Sequence, residues 1–287
     1  MTAPGTPAIL EVDDLRVAFP TRGGLVHAVR GVSFSVGREK VAIVGESGSG
    51  KSMTGRAIIG AVPRTGTVTA KRLAFDGMDL LALPPARRRA LAGRRIAMVL
   101  QDPKFSLNPV MRVGEQIAEG FRVHGIARGA EARDRALAML EAVRIRDPGR
   151  VYRAYPHELS GGMGQRAMIA MMLAPGPDLL IADEPTSALD VTVQAQVLAI
   201  IDDLVSRSGM GLIFISHDLD LVARFCDRVI VMLAGRIVES VAASDLRRVS
   251  HPYAQGLLRC VPRIDGGQGD LPTLSRDAIW RAEGSAP

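Results

Sequence analysis

No stretch of this 287-residue chain approaches the ~18–20 consecutive apolar residues that span a bilayer; its longest runs are short, such as Leu179 to Ala182 and Gly211 to Ile215. Met1 to Ala8 lacks the charged start and apolar core of a secretory signal, so the chain is expected to stay in the cytosol. Two cysteines, Cys226 and Cys260, make neither a disulfide framework nor a metal-ligand spacing, and isolated reduced thiols are expected. Aromatic residues make up 4% and do not interleave with basic ones, which removes the stacking platforms that bind bases. Lysine is confined to Lys40, Lys51, Lys71 and Lys104, so the net charge of +6 rests on arginine. Excess arginine beside abundant alanine and glycine reads as compositional bias, and no nucleic-acid partner is expected. The densest cluster, Arg87-Arg88-Arg89 with Arg94-Arg95, reads as a solvated helix face. Asn108 is the sole asparagine and Pro109 follows it, so the Asn-Lys-x-Asp motif of guanine readers is absent.

A hydrophobic content of 47% supports a sizeable core, in one large domain or two small ones. Residues 45–52 read Gly-Glu-Ser-Gly-Ser-Gly-Lys-Ser, an unmismatched G-x-x-x-x-G-K-[ST], and they follow the apolar strand Val41-Ala42-Ile43-Val44. Gly45, Gly48 and Gly50 let the backbone curl, so that successive N–H groups of the loop, which also contains Glu46, Ser47 and Ser49, point inward at phosphate oxygens. The next helix, entered through Met53, presents its positive end to the same anion, and no breaker interrupts it before Gly55. Lys51 is expected to reach the β- and γ-phosphates, and Ser52 to ligate Mg²⁺.

Alternating apolar positions predict strands over Ile9 to Phe19, Val26 to Val36 and Thr67 to Phe75, forming a small antiparallel sheet beside the phosphate-loop core. Arg95 to Leu100 is a second core strand ending at Gln101. Helical spacing governs about 108–155, with helices over Val113 to Phe121 and Glu131 to Val143. Gly161 to Leu173 and Val191 to Val205 read as helices, and Leu179 to Ala182 and Leu212 to Ile215 as strands. Val229 to Leu233 and Arg236 to Val241 flank a hairpin turn at Ala234-Gly235. After about His251 the chain turns Pro-, Gly- and charge-rich and is expected to leave the core.

Leu179-Leu180-Ile181-Ala182-Asp183-Glu184 is a buried strand ending in two acids at the nucleotide crevice. Asp183 is placed to hold Mg²⁺ and Glu184 to polarise an attacking water. Leu159-Ser160-Gly161-Gly162-Met163 opens a helix and makes a second anion-binding start. One triphosphate does not need two such sites in one chain. A head-to-tail dimer uses both.

On this segment the sequence resembles the ABC ATPases. The order fits as well: the phosphate loop, Gln101 at a strand end, the signature at 159–163, the acidic strand at 179–184, Ser187-Ala188-Leu189-Asp190 as D-loop, then His217. The resemblance implies an α/β fold: a RecA-like P-loop ATPase core with an antiparallel β-subdomain and a helical subdomain. It implies that Phe19 stacks on adenine, that Gln101 senses Mg²⁺ and couples to membrane subunits, and that His217 contacts the γ-phosphate and positions Glu184. Ser160, Gly161 and Gly162 would face the ATP of a partner subunit, with Asp190 beside them.

Several stretches resemble more narrowly the ATPase subunits of the peptide/nickel importer family. They include Phe19-Pro20-Thr21-Arg22, Gln101-Asp102-Pro103, Tyr155-Pro156-His157-Glu158-Leu159, Ala188 to Gln196, and His251-Pro252-Tyr253 followed by Val261-Pro262. Gly164 departs from this pattern where many relatives carry a basic or amide side chain. The link Ala174-Pro175-Gly176-Pro177 is stiffer than the family suggests. The tail after Leu271 has no cysteine, so no iron–sulfur cluster is expected. The resemblance implies an ATPase domain over 1–250, with a helical subdomain inserted over about 104–165, and a C-terminal extension over 251–287. It implies uptake of di- or oligopeptides driven by hydrolysis of Mg·ATP, with nickel or a metal chelate as the alternative cargo and a soluble ABC ATPase outside transport as a remote one. The implied partners are a related but non-identical second ATPase, two membrane permeases and, indirectly, an extracytoplasmic binding protein. The implied location is peripheral, on the cytoplasmic face of the bacterial inner membrane.

Overall fold

A computed structural model describes residues 8–101, 106–187 and 189–260. The first half runs β1 (Leu10–Thr21), β2 (Gly24–Val36), β3 (Lys40–Val44), α1 (Lys51–Ile59), β4 (Thr67–Thr69), β5 (Arg72–Phe75), β6 (Met78–Asp79), α2 (Pro85–Leu91) and β7 (Ile96–Val99). Three helices follow, α3 (Val113–Val123), α4 (Gly129–Ala142) and α5 (Pro148–Arg153), then α6 (Gly161–Leu173) and β8 (Leu179–Asp183). The remainder is α7 (Val191–Ser208), β9 (Gly211–Ile215), α8 (Leu219–Phe225), β10 (Arg228–Leu233), β11 (Arg236–Ala242) and α9 (Pro252–Arg259).

Two sheets organise these elements. An antiparallel sheet has the order β2-β1-β5-β6, with β4 also on β1. The other has the order β11-β10-β3-β9-β8-β7; β10 and β11 pair antiparallel as a hairpin, and the remaining pairs are parallel. Every residue of β7, β8 and β9 is buried, as befits strands covered on both faces. The alternation of strand side chains then divides the core in two. Val41 and Ile43 of β3 join Leu10, Leu15 and Phe75 of the antiparallel sheet and Ala57 and Ile58 of α1. Ala42 and Val44 join the other core, with Ile117 of α3, Leu140 of α4, Met168 of α6 and Ile201 of α7.

Helix α1 continues through Gly55 rather than breaking there. A Cβ at Gly55 would come within 3.0 Å of Ile181, so the missing side chain lets α1 lie close on the parallel sheet. The expected strand over Thr67 to Phe75 splits in two at Ala70-Lys71, where the Lys71 N–H donates to Asp13 instead. The arginine cluster is only partly solvated: α2 buries no residue, yet Arg88 donates to the Ala57 carbonyl and Arg95 pairs with Asp178 and Asp76. Burial pushes the Cys226 thiol up to about 12, which suits an unreactive core residue.

A further expectation is overturned. Among the described residues the chain stays with the core after His251. Helix α9 buries Tyr253 and Ala254 in the same cluster as α6 and α7. Its entry is held by Glu239 of β11, whose carboxylate accepts hydrogen bonds from the N–H groups of Ser250 and His251. Asp102, Pro103, Ala188, Val261, Pro262 and the cysteine-free tail lie outside the described residues.

Candidate nucleotide site

The loop between β3 and α1 makes the turn that its glycines permit. Gly45, Gly48 and Gly50 have φ of +149°, +81° and +97°, which side chains beyond glycine rarely adopt. A Cβ at Gly45 would also collide with the Met232 carbonyl of β10, so loop and sheet are in contact there. The Lys51 ammonium donates to the carbonyls of Gly45 and Glu46, both at 2.8 Å. Burial pulls its pKa down, against the pull of Glu184, Asp183 and Glu46. Ser49 Oγ is buried and has no hydrogen-bond partner among the described residues.

Asp183 closes β8 directly opposite the loop. Its Oδ1 accepts a hydrogen bond from Ser52 Oγ at 2.8 Å. Burial pushes its carboxyl above the usual range, and the Ser52 hydroxyl only partly offsets this. Among the described residues no group of three or more His, Cys, Asp or Glu side chains makes a metal cage. A hydroxyl and a carboxylate in contact still fit Mg²⁺, a hard cation that draws its other ligands from phosphate and water.

Glu184 has φ +47°, an uncommon conformation for a side-chain-bearing residue, with its N–H fixed to the Ile215 carbonyl of β9 at 3.0 Å. Strain of this kind concentrates at functional sites. The twist brings Glu184 Oε1 within 3.3 Å of His217 Nδ1, just beyond β9.

A cavity of about 650 Å³ gathers Ser47, Gly48, Gly50, Lys51, Ser52, Met53, Gln101, Glu184 and His217, with Ala28 of β2 on its wall. Gly45, Glu46 and Ser49 are not on that wall. Phe19 is not on it either: its half-buried ring packs in the cluster of Val62, close against Gly66.

Ser160, Gly161, Gly162 and Asp190 are gathered elsewhere, in a second cavity of about 570 Å³. Ser160 caps α6 by accepting from the Met163 N–H, and Asp190 caps α7 by accepting from the Val193 N–H at 2.9 Å. The two helix starts abut. A Cβ at Gly162 would reach Val193 at 2.7 Å, whereas one at Gly161 would meet nothing within 4 Å among the described residues. Arg144, Arg146, Arg150 and Arg166 share this cavity, which among the described residues has no lining residue in common with the first.

The family described as ABC transporter matches residues 29–187, more than half of the chain. The chain belongs to the ABC transporter family. This ABC ATPase is 50% identical over 275 residues to the probable peptide ABC transporter ATP-binding protein y4tR of Sinorhizobium fredii, covering 94% of the chain and 82% of that protein. It is 46% identical over 268 residues to the oligopeptide transport ATP-binding protein OppD of Salmonella typhimurium, covering 93% of the chain and 80% of that protein. Among solved structures it resembles the ATP-binding cassette MJ0796 in a dimeric post-hydrolysis state bound to ADP and Pi. The TM-score is 0.71 at 26% identity, over 82% of this chain and 98% of that one.

Two residues of this ABC ATPase escaped the sequence reading. Ala28 belongs to β2 and carries no chemical signature. Tyr253 lies in His251-Pro252-Tyr253, a stretch that marks the family without suggesting what the phenol does. In the structure its hydroxyl accepts a hydrogen bond from the Glu46 N–H of the phosphate loop at 2.8 Å.

Proposed function

We propose that this chain is the ATP-hydrolysing subunit of an importer of di- or oligopeptides, working as half of an ATPase pair. The observation that carries this is the division of the site residues between two cavities with no shared lining. One cavity has the phosphate loop, Asp183 close behind it, Glu184 and His217. The other has the Ser-Gly-Gly helix start and Asp190. A second ATPase subunit, related but not identical, would close each cavity of one chain on the complementary cavity of the other.

In this reading the loop from Gly45 to Met53 cradles the triphosphate. Lys51 exchanges its carbonyl acceptors for the β- and γ-phosphates. Ser52, Asp183 and Gln101 would hold Mg²⁺, which would neutralise charge on the phosphate oxygens. Glu184 takes the proton of the attacking water, and His217 orients Glu184. The adenine would stack on the exposed part of the Phe19 ring, although that ring lies off the wall of the phosphate-loop cavity. Ser160, Gly161 and Gly162 complete the partner's site, with Asp190 at its edge. Closure drives the permeases, and hydrolysis reopens the pair.

Peptide cargo is inferred from relatives whose names speak of peptide, dipeptide and oligopeptide transport. Nickel is not carried forward, because those names do not mention it. Among the described residues no helix is long and apolar enough to cross a membrane, which suits a subunit attached to two permeases at the cytoplasmic face of the inner membrane. Cargo selection would rest with those permeases and an extracytoplasmic binding protein.

The test is specific ATPase activity against protein concentration, with and without candidate permeases and a second ATPase subunit, followed by peptide uptake in the reconstituted complex. Activity should be low alone, rise faster than linearly with concentration, and respond to the other subunits. A high, concentration-independent rate in a proven monomer would overturn the paired mechanism.

A further inference from the structure

We infer that Tyr253 is a positioning residue of the phosphate loop, through which helix α9 sets the affinity of the loop for nucleotide. The inference rests on the nucleotide-binding reading of that loop. The peptide plane between Gly45 and Glu46 is held at both ends. Its carbonyl, on Gly45, accepts from Lys51 Nζ at 2.8 Å, and its N–H, on Glu46, donates to the Tyr253 hydroxyl at 2.8 Å. A peptide unit is planar, so fixing its N–H fixes the direction of its carbonyl. Gly45 alone does not set that direction, because glycine rotates freely about its backbone bonds.

When Lys51 turns to a phosphate, the plane loses one of its two anchors. Tyr253 is the anchor that remains. It therefore preserves the curl of the loop while its cation is engaged, which lowers the ordering cost of binding.

The phenol is itself firmly placed. Tyr253 is fully buried. Its backbone N–H donates to His251 Nδ1 at 3.1 Å. The Glu239 carboxylate accepts from the N–H and hydroxyl of Ser250 and from the N–H of His251, at 2.7, 3.1 and 3.0 Å, which ties the start of α9 to β11. Because β11 pairs with β10, and the Met232 carbonyl of β10 backs Gly45, the helix and the loop rest on one piece of sheet.

The test is Tyr253→Phe in the full chain, which keeps the ring and removes the acceptor oxygen. Leu257→Ala serves as control, since Leu257 packs from the same helix against the same core without touching the loop's hydrogen bonds. Calorimetry with Mg·ATP should show Tyr253→Phe weakening affinity about five- to tenfold, the size of one lost hydrogen bond. KM should rise with little change in kcat, and the Glu46 amide should exchange faster with solvent. Leu257→Ala should lower the unfolding temperature and leave affinity within about twofold. Equal affinity in wild type and Tyr253→Phe would overturn the inference, as would an equal loss in the Leu257→Ala control. A wild-type chain that fails to bind Mg·ATP would overturn the nucleotide reading itself, and the inference with it.

Discussion

Ser52 Oγ donates a 2.8 Å hydrogen bond to Oδ1 of Asp183, so the first turn of α1 and the last residue of β8 meet as hydroxyl and carboxylate. The carboxylate is buried and its pKa is raised, which makes the charged form a cost to the folded chain. For a carboxyl raised in this way the cost is absent below its unfolded pKa and fully present above its folded one. Asp183→Asn keeps an oxygen for Ser52 and removes the charge. It should raise the unfolding temperature without nucleotide, by roughly 2–4 °C for each ~1 kcal/mol relieved. Mg-dependent turnover should collapse in the same variant. A fall in unfolding temperature by calorimetry would contradict the account of Asp183 as a charge buried for function at the expense of stability.

Glu184→Gln should bind Mg·ATP as wild type does and lose turnover by ~10²–10⁴-fold, because an amide cannot accept the proton of the attacking water. The variant should accumulate an ATP-dependent dimer in size-exclusion chromatography. Turnover within about twofold of wild type would remove Glu184 from the role of base.

Lys51→Ala should weaken ATP binding itself, since the cation proposed to reach the β- and γ-phosphates is lost. Calorimetric titration checks this directly. Unchanged affinity would refute the phosphate-loop assignment.

The two signature glycines should separate by role. Gly161→Ala adds a methyl group to open space, so folding should stay within about 0.5 kcal/mol of wild type. If Gly161 faces a partner's nucleotide, that same methyl should block ATP-dependent dimerisation in the Glu184→Gln background. Gly162→Ala drives a methyl into Val193 and should cost about 1–3 kcal/mol of stability by overpacking. A Gly161→Ala chain that dimerises normally would show that the cavity around Ser160 is not a nucleotide half-site.

Ser160→Arg should leave ATP binding by the single chain intact while closure and turnover fail. Light scattering with and without Mg·ATP reads the first step of closure. An undiminished ATP-dependent dimer would sink the role of Ser160 in the partner's site.

Much of the candidate site was legible because its chemistry is local in sequence. Gly45 to Ser52 carry their meaning as one contiguous turn after a strand, and β8 announces Asp183 and Glu184 as acids at the end of an apolar run. The antiparallel sheet was legible from alternation in β1 and β2. Helix α9 was not, because its amphipathic pattern lasts only eight residues and the Pro-, Gly- and charge-rich composition of the chain beyond it dominated the reading. Its stability comes from Glu239 at its start and from Tyr253 in the core, contacts that span the fold.

The sequence by itself determined the class of chemistry: a glycine-rich turn, a lysine, a hydroxyl and paired acids are arranged by the covalent chain and by strand and helix periods. Tertiary structure alone decided how these residues divide. It set Glu184 in a left-handed turn against His217, put Phe19 outside the wall of the phosphate-loop cavity, and collected Ser160 and Asp190 in a cavity of their own. It also brought Tyr253 to Glu46 across 207 positions of sequence. A hydrogen bond depends on where two atoms sit in space, and no spacing along the chain encodes that until both cores have packed around the parallel sheet.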